Sequence, residues 1–187
     1  EAHGAEWDER KVGSFGDIAT FSFFFSHHIS TIEGGMVLVD DPQYLDACRS
    51  MRAHGWVREM STRDAIAAEN PDVDPRFLFA YPGYNFRPTE IGGAFGIHQL
   101  PRLEGFIKHR RELAQYFNDA LAPYEKWLVL PHEARGTRHS YFSYPITVRE
   151  GAPFTKKQLQ ASLEANGVET RQIEAGNIAQ QPAMKHL

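Results

Sequence analysis

Residues 21–35, FSFFFSHHISTIEGG, decide how the rest of the chain is read. A run of Phe with interleaved Ser reads as the end of a buried strand. Two adjacent histidines follow, His27 and His28, and then Glu33 and a Gly34-Gly35 turn. Apolar strands that empty into a polar, Gly-containing loop are where α/β enzymes place their chemistry. Imidazoles at such a place can titrate near neutral pH, ligate a metal, or simply be hydrogen-bonded within the loop. A metal held by both is disfavoured, because adjacent residues of a strand point to opposite sides.

Working outward, residues 18–25 read as a buried strand and 36–39 as a second one after the glycine turn. Asp41-Pro42 supplies an N-cap followed by proline at the first helical position. The helix runs to about Gly55, with Leu45 and Cys48 on one face. Upstream, residues 1–17 are polar and rich in glycine turns. Downstream, 56–83 are mixed and Pro-containing, with a short helix at 61–69; so long a connection in a compact domain is usually functional or reaches another subunit. Ile91, Ala94 and Phe95 start a helical pattern that Pro101 interrupts. Leu103, Phe106, Ile107, Ala114, Phe117 and Leu121 then mark a long amphipathic helix, whose HRRE segment (109–112) reads as a solvated face.

Beyond Pro123 the texture changes. Residues 126–130 and 140–149 read as strands around the polar loop HEARGTRH. Thr155 and Gln158 form a capping box for a helix that ends at Asn166-Gly167. VETRQI (168–173) reads as another strand. The expected division is a first domain over 1–123 and the beginning of a second, α/β one over 124–187.

The chain has 187 residues, 42% hydrophobic and 24% charged, with a formal net charge of -4. That length buries a real core. Mild acidity with no basic stripe gives no reason to expect nucleic acid, and no apolar run approaches a membrane helix. The single cysteine, Cys48, excludes an intrachain disulfide and an all-cysteine metal cage within this chain. It suits a reducing cytoplasm. The opening at Glu1 without Met and the close at QPAMKHL, just after a loop-like segment, read as an internal piece of a longer protein.

Four stretches in register resemble one family. They are GSFGDIATFSF (13–23), IEGGMVLVDDP (32–42) with RAHGW (52–56), GYNFRPTEIGGAFGIHQL (83–100), and ETRQIEAGNIAQQP (169–182). Together they resemble the DegT/DnrJ/EryC1/StrS sugar aminotransferases and dehydratases, which use pyridoxal phosphate (PLP). The resemblance implies the PLP-dependent transferase fold of aspartate aminotransferase type (fold type I). Residues 1–123 would be the later part of the cofactor-binding domain and 124–187 the start of the small one.

In the family's aminotransferases, the lysine that tethers PLP stands where this chain has His27. No lysine lies between Lys11 and Lys108. Within the family, histidine at this position marks sugar 3-dehydratases. The resemblance therefore implies C3 dehydration of a nucleotide-linked 4-keto-6-deoxy hexose, with GDP as the nucleotide. PLP, in its pyridoxamine phosphate form, would be the cofactor and glutamate the amino donor. An imidazole with an unperturbed pKa of about 6.5 suits the proton shuttle this needs.

Residue by residue, the resemblance makes His27 catalytic and gives Ser22 and Asn85 to the cofactor phosphate. Asn85 would serve the neighbouring subunit's cofactor, which implies a homodimer with shared sites. It gives His54, Arg58, Arg171 and Asn177 to the nucleotide sugar or the glutamate carboxylate; arginine suits bidentate recognition of carboxylate or phosphate. Bland readings remain for each: a strand serine, a turn asparagine, a helix-end histidine, a surface arginine. The aspartate that pairs with the pyridine nitrogen would lie just upstream of Glu1. Other readings are an ordinary sugar aminotransferase, disfavoured by the missing lysine, and a noncatalytic regulator on the same fold. An iron–sulfur relative needs cysteines this chain lacks.

Overall fold

The computed structural model describes residues 1–173 and 177–186. In chain order its strands are β1 (Glu6–Trp7), β2 (Arg10–Lys11), β3 (Ile18–Ser22), β4 (Gly35–Val39), β5 (Leu128–Val129), β6 (Thr137–Arg138) and β7 (Thr147–Val148). Its α-helices are α1 (Pro42–Met51), α2 (Arg63–Glu69), α3 (Glu90–Gln99), α4 (Leu103–Leu121) and α5 (Lys156–Ala165). The chain divides into two compact units, residues 1–111 with 133–142, and residues 112–132 with 143–187.

In the first unit, β3 and β4 pair antiparallel in a register that runs from Ile18↔Val39 to Ser22↔Gly35. Two strands were expected on either side of a Gly34-Gly35 turn; both form, but the connection is the longer loop 23–34, and Gly35 already belongs to β4. The ladder stops at Ser22, short of the expected strand end at 25. The next residues bond within the loop instead: Phe23 N donates to Gly34 O (2.9 Å) and His27 N to Phe24 O (3.0 Å). β1 pairs with β2 on one side and with β6 on the other, where Glu6 faces Arg138. Residues 133–142 thus return to the first unit across more than a hundred residues of sequence.

Asp41 caps α1 by accepting from the backbone N–H groups of Gln43 and Tyr44, with Pro42 at the first position. α1 ends at Met51, and His54 and Gly55 follow at φ 66° and 87°. The face that carries Leu45 and Cys48 is not the one α1 buries. Cys48 is only half-buried, and the residues α1 buries are Asp46 and Ser50. A buried carboxylate is tolerable only when hydrogen-bonded. Asp46 accepts from the backbone N–H and the hydroxyl of both Ser61 and Thr62 at 2.8–3.2 Å. The same bonds tie α1 to a small core of Val57, Met60 and Leu78, against which Ile66 and Ala67 of α2 pack.

α3 starts at the Thr89 cap, whose hydroxyl accepts from Gly92 N (3.2 Å). It then breaks into a 3-10 turn at Leu100–Arg102 before α4, as Pro101 demands.

In the second unit, β5 and β7 pair antiparallel, with Leu128↔Val148 and Val129↔Thr147 in register. Thr155 and Gln158 form the expected capping box of α5. Strands were expected over 126–130, 140–149 and 168–173. Only Leu128–Val129 and Thr147–Val148 pair, and 168–173 carry no strand. Pro145 has no N–H to give a ladder, and Tyr141 sits at φ 47°, outside strand geometry. No helix among the described residues is long and apolar enough to cross a membrane.

Candidate active site

The turn after β3 brings Ser22 and His27 together. The Nδ1 of His27 lies 3.2 Å from the carbonyl oxygen of Ser22. A carbonyl only accepts, so Nδ1 carries the proton and the lone pair of the neutral ring sits on Nε2. A carboxylate oxygen of Glu1 is 3.6 Å from Nε2, within ion-pairing reach when the ring is protonated. The ring stands edge-on to Phe24 (5.8 Å) and Phe142 (5.7 Å), and its side chain is 12% exposed. The hydroxyl oxygen of Ser22 accepts from Phe24 N (3.3 Å). Its own O–H stays available to donate.

His28 turns the other way and is buried. Its Nε2 donates to Ser140 O at 3.0 Å, and its ring packs 5.8 Å from Phe142 and 6.3 Å from His3. His3 is equally buried, among Phe21 and Phe23. Its pKa is lowered to about 4, first by burial, with His28 and His27 adding to the effect. Burial lowers the His28 pKa as well, against the opposing pull of the Ser140 carbonyl. Behind His27 the protein thus keeps neutral imidazoles. Nothing in the local sequence announces His3, a lone histidine in a glycine-rich segment well before the first expected strand.

A second cluster forms where residues 51–56 lie against 81–86. The backbones of Ala53 and Asn85 bridge. His54 N donates to Tyr84 O (2.7 Å), and Phe86 N to Arg52 O (2.8 Å). The approach requires glycine: a Cβ on Gly55 would stand 1.6 Å from Tyr81 O, and one on Gly83 would stand 2.0 Å from Gly55 N. His54, in the left-handed turn after α1, is thereby brought beside Asn85, and both are exposed. The Arg58 guanidinium lies 3.8 Å over the Trp56 ring. That ring in turn stacks on Phe79 at 5.7 Å and donates its N–H to Arg76 O. Beside Asn85, the rings of Tyr84 and Phe86 stack 5.0 Å apart while 55% and 72% exposed.

Arg171 and Asn177 lie in the second unit, both exposed. The Asn177 side chain caps a 3-10 turn, accepting from Ala179 N at 3.1 Å. Residues 174–176, within the fourth family-like stretch, fall outside the described residues.

The HRRE segment is not simply a solvated face. His109 and Glu112 are exposed, whereas Arg110 and Arg111 are half-buried. Arg111 forms a two-pronged ion pair with Glu133. Arg110 donates from Nη1 to the carbonyls of Tyr141 (3.1 Å) and Phe142 (2.8 Å). Helical periodicity identifies a polar face, but not the loop that returns to cover it.

The whole chain, residues 1–187, matches the DegT/DnrJ/EryC1/StrS aminotransferase family, and the protein belongs to that family. It is 36% identical over 180 residues to a GDP-4-keto-6-deoxy-D-mannose 3-dehydratase of Escherichia coli O55:H7, covering 95% of this chain and 46% of that one. Among solved structures it resembles the E. coli GDP-4-keto-6-deoxy-D-mannose 3-dehydratase with bound hydrated PLP (TM-score 0.86, 34% identity, 98% of this chain and 47% of that one). It resembles the same kind of enzyme carrying a trapped PLP–glutamate geminal diamine (TM-score 0.84, 33% identity, 98% and 47%). The chain spans about half the length of these relatives. Its architecture is that of the PLP-dependent transferases, as the family resemblance implies.

The donor set at the β3 turn fits a phosphate-bearing cofactor. A serine hydroxyl with its proton to give stands five residues from an imidazole whose Nε2 is not used by the protein backbone. No lysine stands at position 27 to compete for the cofactor aldehyde. Among the described residues, no group of three or more His, Cys, Asp or Glu could hold a metal ion.

Proposed function

We propose that the full protein to which this chain belongs is a PLP-dependent sugar 3-dehydratase. Its substrate is a nucleotide-linked 4-keto-6-deoxy hexose, GDP-4-keto-6-deoxy-D-mannose, and glutamate is the amino donor. The observation that carries this reading is His27, a half-buried imidazole in the place of the family's tethering lysine. The relatives' names and their bound PLP and PLP–glutamate adduct support the substrate, cofactor and donor. Held noncovalently, the cofactor in its amino form supplies an electron sink beside the sugar's C3–C4 unit.

The residues of this chain supply binding and proton movement. Ser22 donates its O–H to the cofactor phosphate. His27, with Nδ1–H anchored on the Ser22 carbonyl, takes a proton at Nε2 and delivers one to the departing C3 hydroxyl, which leaves as water. Phe24 and Phe142 keep the ring edge-on and partly dry. Arg58, stiffened by Trp56, recognises a carboxylate or the nucleotide phosphates, with His54 beside it. Arg171 and Asn177, in the second unit, bind the nucleotide sugar or the glutamate carboxylate. Asn85 reaches the cofactor phosphate of a second subunit, and the exposed Tyr84–Phe86 stack next to it favours a homodimer with shared sites. A cytoplasmic location, on a route to a deoxysugar of a bacterial surface polysaccharide such as colitose in O-antigen, accords with nucleotide-sugar chemistry and with the single cysteine of this chain.

The aminotransferase alternative needs a lysine at position 27, and the noncatalytic alternative leaves a built imidazole site without use. His27→Asn in the full-length protein tests the reading. Asparagine keeps a donor for the Ser22 carbonyl, so PLP stays bound, and turnover to the 3-deoxy sugar stops. Undiminished turnover would remove His27 from the mechanism.

A further inference from the structure

The 139–142 turn touches His27 and His28 and is held almost wholly through its backbone. Ser140 O accepts from His28 Nε2 (3.0 Å). Tyr141 N donates to His139 Nδ1 (2.8 Å). The carbonyls of Tyr141 and Phe142 both accept from one Nη1 of Arg110, at 3.1 and 2.8 Å. Tyr141 is 9% exposed and sits at φ 47°, a left-handed conformation that a non-glycine residue keeps only when its surroundings enforce it. The product of these constraints is the place of one ring: Phe142, edge-on to His27 at 5.7 Å with the two ring planes 86° apart.

We propose that Arg110 is a positioning residue for His27, acting through the Tyr141–Phe142 turn. The inference rests on the proton-transfer role proposed above for His27. Among the described residues, one backbone hydrogen bond, Nδ1 to the Ser22 carbonyl, restrains the imidazole. Such a bond leaves the ring able to swing about it. Two perpendicular aromatic edges, Phe24 and Phe142, remove that freedom. Phe24 is fixed by the same hairpin turn as His27, so its place needs no outside support. Phe142 comes from residues 133–142, far away in sequence, and depends on the α4 guanidinium. A guanidinium suits the task because its planar N–H groups reach adjacent carbonyls at once. General-base geometry is demanding, and a misplacement of about 1 Å can cost as much as 100-fold in rate.

The test uses the full-length enzyme with PLP, glutamate and GDP-4-keto-6-deoxymannose. Arg110→Gln should lower kcat on the order of tenfold or more, with the KM of each substrate held within about twofold. Arg110→Lys, which keeps a charged donor for the carbonyls, should recover most of the loss. A readout independent of turnover comes from the cofactor-free full chain with labelled histidine. There the His27 ring-proton resonances, assigned by their loss in His27→Asn, should shift in Arg110→Gln in the same direction as in Phe142→Leu. Unmoved His27 resonances, or a kcat loss matched by an equal rise in KM, would overturn the proposal. Should Arg110→Gln fail to fold, Phe142→Leu carries the same kcat-against-KM and resonance criteria. Turnover retained in His27→Asn would instead strike the catalytic reading, while the resonances would still decide whether Arg110 positions the ring.

Discussion

The Nδ1 of His27 lies 3.2 Å from the carbonyl oxygen of Ser22, five residues earlier in the chain. Ser22 thus joins the proposed phosphate donor, its hydroxyl, to the tautomer anchor of His27, its carbonyl. On the proposed reading, the β3 hairpin would couple cofactor binding to the protonation pattern of His27, because the ladder ends at Ser22↔Gly35 and the turn closes immediately after it.

That coupling yields a prediction for His27→Lys. A lysine there starts from the same half-buried place, next to where the cofactor aldehyde would sit. PLP bound to the variant should become covalently attached on borohydride reduction, seen as a mass increment on the peptide that carries residue 27. Absence of labelled peptide would mean that this side chain does not face the cofactor.

Asp46 is predicted to matter for stability rather than for chemistry. Its carboxylate accepts four hydrogen bonds from Ser61 and Thr62, which hold its pKa below the usual carboxylate value. In Asp46→Asn the amide nitrogen cannot accept, so some of those donors lose their partner, at a cost of about 1–3 kcal/mol. Thermal unfolding should show a lowered Tm. The depressed folded-state pKa means this carboxylate stabilises above its ordinary unfolded value and loses that contribution as pH falls through the folded one. The Asp46→Asn variant should therefore lose less stability than the wild type on acidification in that range.

His3 predicts a second, higher pH window. Its folded-state pKa is about 4, against an ordinary value of 6.5. The unfolded chain binds the proton first, so stability is fully present above about 6.5 and falls as pH drops toward about 4. The difference corresponds to at most about 3 kcal/mol. His3→Gln, which cannot titrate, should flatten the Tm-against-pH curve between those limits. An unchanged slope would mean that His3 is solvated in the protein.

Much of this was legible from residue order alone where the interactions are local. The Asp41-Pro42 start of α1 and the Thr155–Gln158 capping box follow from short-range chemistry and form as expected, and the two apolar runs flanking residues 23–34 form the paired strands β3 and β4. What escaped is long-range. Arg138 meets Glu6 across the chain in β6 and β1, and Arg110 reaches Tyr141 and Phe142. Periodicity marks residues 109–112 as polar and cannot say which loop they bind. The strands over-read at 140–149 and 168–173 had alternating residues, but alternation does not supply a pairing partner, and Pro145 withholds a donor. Among the site residues, Ser22 with His27 and His54 with Asn85 come together through local turns and a glycine-lined backbone crossing. His3 joins His28 only through burial, which no local pattern encodes.

The most direct measurement is product mass spectrometry on the full-length protein given PLP, glutamate and GDP-4-keto-6-deoxymannose. The account predicts a nucleotide sugar that lacks one oxygen relative to the substrate, with 2-oxoglutarate and ammonia released. An amino sugar in its place would contradict it, because transamination to product needs a lysine where His27 stands.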